Sequence, residues 1–145
     1  MSLINSIGIS RSALQAERIR MDVVANNIAN MNSTRTEEGG PYRRQMVVFR
    51  AEDGTPNFSA VLAGRPTEPA GGVAVDAVVE DSAPPRRVYE PTNPDADADG
   101  YVLYPDIDVA TEMTDMLSAS RAYQANVTVL NTVKGMAQKA LEIGR

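Results

Sequence analysis

The amino-acid sequence predicts a mainly α-helical protein with a small β-rich insert, an α+β fold whose two ends are long helices. Apolar residues recur at seven-residue intervals near both ends of the 145-residue chain, as in helices that pack along a common seam. The middle instead holds short β-type stretches separated by Gly- and Pro-rich turns. We therefore expect the terminal helices to pack as an antiparallel coiled coil. The helical domain should comprise residues 1–32 and 106–145, and residues 33–105 the β-rich segment.

The N-terminal helix is predicted from Leu3 to about Met31. Its apolar residues form two adjoining rows, Ile7, Leu14, Met21 and Ile28 in one and Leu3, Val24 and Met31 in the other. Four asparagines fall near its end, Asn26, Asn27, Asn30 and Asn32, although Asn is a mediocre helix former. Two interpretations remain open: the amides end the helix, or they form hydrogen bonds across a helix–helix or subunit contact.

The middle of the chain predicts short strands with turns between them. These strands span residues 42–50, 58–62, 72–80, 87–89 and 101–104, and Gly, Pro and Asp residues separate them. So few short strands bury little apolar surface. We expect this insert to depend on the helices for support.

The C-terminal helix is predicted over residues 108–143, a length of about 50 Å. Asp108 is a suitable N-cap residue. One heptad row contains Val109, Met116, Tyr123, Leu130 and Ala137, and its companion row contains Met113, Ser120, Val127, Lys134 and Leu141. A second apolar stripe runs beside them: Ala122, Ala125, Val129, Val133, Met136, Ala140 and Ile143. One partner helix covers only one seam, so the extra stripe indicates assembly with other subunits.

Composition excludes several classes of function. The formal net charge of −5 argues against a nucleic-acid binder, which would normally show a basic surface. The chain has neither Cys nor His, so the commonest metal ligands and general base are missing. We expect no cofactor and no enzymatic activity. No signal peptide or membrane span is predicted, which suggests that any export uses no cleaved signal.

Several motifs resemble those of one protein family. Residues 21–31 (MDVVANNIANM) and 112–126 (EMTDMLSASRAYQAN) resemble the terminal segments of bacterial flagellar axial proteins, which include rod, hook and hook-associated subunits. The middle narrows the resemblance to basal-body proteins of the proximal rod, through residues 41–43, 47–49, 71–73, 88–91, 93–97 and 100–102. The resemblance covers nearly the whole chain.

The resemblance implies a structural subunit of the proximal rod. Such a subunit would be exported by the flagellar type III apparatus and would polymerise helically as the drive shaft and export channel. Its partners would be copies of itself, other rod proteins, the export apparatus, and the adjacent membrane-ring and peptidoglycan layers. Its location would be the periplasmic rod of the basal body.

Subunit packing is expected to use residues from both helices. On the N-terminal helix these are Ile7, Leu14, Met21, Val24, Asn26, Asn27, Ile28 and Asn30. On the C-terminal helix they are Met113, Met116, Arg121, Tyr123, Asn126, Val127, Leu130, Val133 and Leu141. Tyr123 fits a seam position, whereas Arg121 lies off the seam, either solvated or paired with a carboxylate of a neighbouring subunit.

The sharpest alternative is a calcium-binding or other interaction module exported by a type III apparatus. Asp95, Asp97, Asp99 and Asp106 take positions 1, 3, 5 and 12 of an EF-hand-like loop, with Gly100 at position 6. Position 12 is Asp rather than the bidentate Glu, and Pro91 and Pro94 prevent an entering helix. An acidic turn is therefore the favoured interpretation.

Overall fold

The computed structural model describes residues 3–37, 39–52, 62 and 71–143. Its elements are α1 (Leu3–Ala29), β1 (Gln45–Ala51), β2 (Val73–Glu80), β3 (Arg86–Tyr89), β4 (Tyr101–Tyr104) and α2 (Val109–Ile143). The two long terminal helices and the small insert of two antiparallel hairpins confirm the predicted α+β fold class. Of the strands predicted from the sequence, residues 58–61 lie outside the described residues and Leu62 is helical, whereas the other four are present.

The helices α1 and α2 pack side by side in antiparallel orientation. Arg20 lies against Asp115, and the later α1 residue Asn27 lies against the earlier α2 residue Glu112. α2 contains 35 residues and α1 contains 27, so the two cannot overlap fully. Extending the register places the start of α1 near Gly135. The last two turns of α2 project beyond it, and residues 138–142 are all exposed.

Asp108 caps the N-terminus of α2, as predicted. Its carboxylate accepts hydrogen bonds from the Ala110 N–H (3.4 Å), the Thr111 N–H (3.2 Å) and the Thr111 hydroxyl (2.6 Å). These bonds stabilise the ionised form, so they lower the pKa of Asp108 below its usual value. The cap therefore fixes where α2 begins.

One of the two heptad rows predicted for α2 is displaced by one residue. Met116, Tyr123, Leu130 and Ala137 are half-buried as expected, but the companion row that faces α1 is Glu112, Ala119, Asn126 and Val133. Of the predicted row, Ser120 and Val127 are half-buried, but Met113 and Leu141 are 62% and 76% exposed and Lys134 is also exposed. The prediction was wrong because hydrophobicity favoured Met113, whereas the structure buries its neighbour Glu112 among polar partners.

The hairpin of β1 and β2 lies along α1. Gln45, at the start of β1, contacts Asn27, and the Val73 N–H at the start of β2 donates to Ser12 Oγ at 3.2 Å. The 15-residue step from Ser12 to Asn27 spans about 22 Å of helix, which is close to the roughly 20 Å between the first and last residues of the seven-residue β1. A Cβ on Gly72 would lie 2.8 Å from Ser12 Oγ, so glycine permits this close approach.

The hairpin of β3 and β4 contacts the loop after α1. Val102 is buried, and the Thr34 hydroxyl donates to Asp95 at 2.7 Å. Its outer face carries Tyr89 and Tyr101 in an edge-to-face pair, with ring centroids 5.3 Å apart. Arg87 lies over the Tyr101 ring at 4.6 Å, which adds a cation–π contact.

The core of the described part is small. Its buried apolar side chains are Ala16, Val23, Val24, Val102, Ala119 and Val133. None is larger than Val, so each contributes at most about 1.5–3 kcal/mol by burial. In the described ranges, neither helix is long and apolar enough to cross a lipid bilayer.

Candidate functional site

Two of the most fully buried side chains of the described residues, Asn27 and Glu112, lie in a polar joint where α1, β1 and α2 meet. We define the polar joint as Asn27, Tyr42, Arg44, Gln45 and Glu112. Asn27 is 1% exposed and Glu112 is 0% exposed, although both side chains are polar. A buried polar group is costly unless it is hydrogen-bonded, so its partners decide whether the arrangement is stable.

Asn27 satisfies its full hydrogen-bonding capacity. Its Nδ2 donates to the Gln45 carbonyl at 2.9 Å and to Glu112 Oε2 at 3.0 Å. Its Oδ1 accepts from the Gln45 N–H at 2.9 Å and from the Tyr42 hydroxyl at 3.1 Å. One amide therefore links α1 to the first residue of β1, to the segment before it, and to α2.

Glu112 pairs with Arg44 across the joint. Arg44 Nε donates to Glu112 Oε1 at 2.6 Å, a short charge-assisted hydrogen bond. Arg44 also lies 3.8 Å from Asp115, and Arg20 donates to the other Asp115 oxygen at 3.3 Å. Glu112, Arg44, Asp115 and Arg20 thus alternate in charge. Both carboxylates lie on α2, Arg44 lies just before β1 and Arg20 lies on α1, so each of the two anions faces a cation.

The joint also affects Tyr42. Burial raises the pKa of its hydroxyl above the ordinary value of 10.0, and the carboxylates of Glu80 and Glu112 raise it further. Tyr42 therefore remains a protonated donor to Asn27 throughout the physiological range. The joint holds its members by directional bonds, and it presents no nucleophile with an adjacent base.

A second feature is the apolar surface that the pairing of α1 and α2 leaves uncovered. The exposed large apolar residues of the helices are Ile7, Ile9, Met113, Leu117, Val129, Met136 and Leu141. Val129 and Met136 belong to the second apolar stripe that the sequence predicted. Large apolar side chains that stay exposed on a helix pair are available for contact with other protein surfaces.

The structure divides the residues predicted for subunit packing into two groups. Buried or half-buried are Leu14, Met21, Val24, Asn27, Ile28, Asn30, Met116, Tyr123, Asn126, Val127, Leu130 and Val133. Exposed are Ile7, Asn26, Met113, Arg121 and Leu141. The first group is at least partly used within the chain, so the second group is the better candidate for contact with other subunits.

Both interpretations of the asparagine cluster apply, each to different residues. Asn27 bonds across the helix–helix contact, as described above. Asn30 instead ends α1, because its Nδ2 donates to the Asn26 carbonyl at 2.9 Å and its Oδ1 accepts from Ser33 at 3.0 Å. Asn32 is exposed. The amides therefore divide between helix termination and tertiary contact.

The acidic turn gives no support to the calcium-binding alternative. Asp97 Oδ1 accepts hydrogen bonds from the Asp99 N–H at 3.0 Å and the Tyr101 N–H at 2.8 Å, and Oδ2 faces Arg87 at 3.4 Å. Asp95 is occupied by Thr34. Within the described ranges, no three carboxylates are grouped so as to hold a metal ion. These carboxylates instead shape the turn between β3 and β4.

Sequence reasoning missed Tyr42, Arg44, Gln45 and Glu112 as members of one site. Arg44 and Gln45 lie in a stretch whose pattern indicates only a strand, and Glu112 has the position of a helix-start acid. The available signal was a charged residue at a heptad position, seven residues before Ala119 and four before Met116. A buried charge at such a position requires a partner.

The two terminal parts of the chain each match a known protein family. Residues 7–35 match the family described as flagella basal body rod protein, and residues 98–143 match the flagellar basal body rod FlgEFG protein C-terminal family. These two segments contain most of α1 and all of α2.

Full-length relatives are also similar. The chain is 46% identical over 145 residues to the flagellar basal-body rod protein FlgC of Salmonella typhimurium, with 100% of both chains covered. It is 44% identical over 152 residues to that of Bacillus subtilis, again with 100% of both covered. For Borreliella burgdorferi FlgC the identity is 40% over 149 residues, covering 99% of this chain and 98% of the relative. The chain belongs to the FlgC family of flagellar basal-body rod proteins.

Proposed function

We propose that this chain is a structural subunit of the proximal rod of the flagellar basal body, and that it polymerises helically through its terminal helices. The observation that carries the proposal is the exposed apolar surface of a helix pair whose sequence belongs to the rod family. The helical unit, residues 1–32 with 106–145, forms the tube that serves as drive shaft and export channel. Residues 33–105 form the outer β-rich unit.

A comparison of the free energy of apolar burial with the cost of association favours contacts with several neighbouring subunits over contact with a single partner. Full burial of a large apolar side chain contributes about 1.5–3 kcal/mol, and these residues are already partly covered. At about 1 kcal/mol each, the seven exposed large apolar side chains of the helices would contribute roughly 7 kcal/mol in one contact, which is no more than the association cost of about 4–15 kcal/mol. A helical lattice gives each subunit several contacts, so weak individual interfaces suffice.

The export route and the partners of the subunit follow from its proposed place in the proximal rod. The subunit crosses to the periplasm through the flagellar type III apparatus without a cleaved signal, and its small core fits a chain that must travel unfolded. Its partners are copies of itself, other rod proteins, and the adjacent membrane-ring and peptidoglycan layers. Catalysis is not part of its role, and its net charge of −5 does not suit nucleic acid.

Basal-body isolation from a host that lacks the native gene tests the proposal. Leu141→Asp places a charge on a residue that is 76% exposed. We expect this variant to remain soluble and helical, yet to be absent from isolated basal bodies and to leave the cells non-motile. Gln138→Asp is the matched control, because Gln138 is exposed, lies one turn away and is polar already. Incorporation of Leu141→Asp at the level of the control would overturn the proposal.

A further inference from the structure

We propose that the polar joint selects one register of α1 against α2 and thereby keeps the last two turns of α2, residues 137–142, beyond the start of α1. Apolar packing along the two helices does not make this choice. The competing arrangement is a register in which α2 has moved by one heptad along α1.

The seam of α2 accepts such a slip. Moving α2 by seven residues places Ala119 where Glu112 lies, Asn126 where Ala119 lies, and Val133 where Asn126 lies. Ala119 and Val133 are apolar replacements. Asn126 is larger than the fully buried Ala119 that it would replace, but it keeps the bond of its Nδ2 to the Ala122 carbonyl of its own helix. The opposite row still presents Tyr123, Leu130 and Ala137. A heptad pattern repeats every seven residues, so it specifies the facing stripe without specifying the register.

The slipped register would also cover more apolar surface. A shift of seven residues moves α2 by about 10 Å along α1, close to the length by which α2 projects. Leu141, which is 76% exposed, would then lie beside the start of α1. At this end of the pair, the slip would therefore increase hydrophobic burial.

The polar joint opposes the slip. In the shifted register the Asn27 amide would face the methyl group of Ala119, and Arg44 would lose the Glu112 oxygen that it now contacts at 2.6 Å. The donors of both residues would be left in a partly dry region. Hydrogen bonds are directional and their loss on burial is costly, so a single polar contact can fix a register that apolar contacts leave open.

The consequence for assembly rests on the proposed function. A helix pair in the observed register leaves its apolar end free for neighbouring subunits in the rod, whereas a slipped pair would cover that end by itself. The register can be measured on the isolated chain, so the register proposal can fail while the rod function stands.

Pulsed electron spin resonance distances between two labels test the register. The chain has no Cys, so Asp22→Cys and Lys139→Cys, both at exposed positions, give two labels without background sites. In the otherwise native chain we expect one distance population. Adding Asn27→Leu and Glu112→Leu should shorten the distance by up to about 10 Å, the axial shift of one heptad.

Asn126→Leu is the matched control. Asn126 is a half-buried amide in the same row as Glu112, but its Nδ2 donates only to the Ala122 carbonyl of its own helix, at 2.9 Å. This variant should keep the native distance. An unchanged distance in the chain that carries both Asn27→Leu and Glu112→Leu would overturn the proposal, because the connections to the insert would then set the register. The proposal would also be overturned if both the chain with Asn27→Leu and Glu112→Leu and a chain with Glu112→Met lost their helical circular dichroism. The polar joint would then be needed for folding itself rather than for the choice of register.

Discussion

Replacing Glu112 by Ala removes the anion at the centre of the polar joint. The substitution leaves Asn27 Nδ2 with only the Gln45 carbonyl, and it leaves Arg44 with only Asp115, 3.8 Å away. Breaking a buried pair by removing one partner costs about 3–5 kcal/mol. The side chain of Arg44 is partly exposed and keeps a second carboxylate nearby, so we expect a loss at or just below the lower end of this range, about 2–3 kcal/mol.

Urea and thermal unfolding followed by far-ultraviolet circular dichroism measure this loss. A chain of this size should show a melting temperature lower by about 6–10 °C for 2–3 kcal/mol. Glu142→Ala is the control, because Glu142 lies on the same helix and is exposed, so its effect should stay within about 0.5 kcal/mol. Equal midpoints for the two variants would refute the reasoning that Glu112 is a structural anion. A double-mutant cycle with Arg44→Ala should give a coupling of about 0.5–3 kcal/mol.

Three further predictions test single contacts. Gly72→Ala should destabilise the fold by about 1 kcal/mol in the same urea assay, because its Cβ would lie 2.8 Å from Ser12 Oγ, whereas Gly71→Ala, with its nearest atom at 3.5 Å, should cost less than about 0.5 kcal/mol. The Asp108→Asn chain should be less stable than the parent at neutral pH. Because folding lowers the pKa of Asp108, the difference in stability between the two chains should shrink as the pH falls below about 3.8. A difference that stays constant down to about pH 2 would contradict this prediction. The pKa of Tyr42 is raised on folding, so the native chain should lose stability as pH rises above about 10, and Tyr42→Phe should lose less.

The helices and most strands could be predicted from the sequence because their signals are local. The heptad spacing gives α1 and α2, and Asp108 marks the start of α2 by its own side chain. The sequence predicts a strand at Leu62, which is helical in the structure, because a short apolar run does not distinguish a strand from a helix.

The register and the polar joint could not be predicted, because they depend on contacts between residues far apart in the chain. Asn27 meets Glu112 across 85 positions, and Arg44 meets it across 68. Hydropathy assigns Glu112 to the surface and Met113 to the core, the reverse of what the structure shows. Only the partners supplied by α1 and β1 make the buried carboxylate favourable.

The two kinds of surface have different mechanical consequences for a subunit in a rotating shaft. Apolar contacts are non-directional, so they hold helices together while resisting sliding and rotation only weakly. The polar joint adds directional bonds at a place where both helices and β1 meet, and bonds of Asn27 are lost if any of the three elements moves. Under the proposed function, torque that reaches the insert is therefore passed to α1 and α2 through Asn27, Arg44 and Glu112. The exposed apolar residues then pass it to neighbouring subunits through many weak contacts. A chain with an apolar joint could still assemble into a rod, but it would transmit torque through a softer connection.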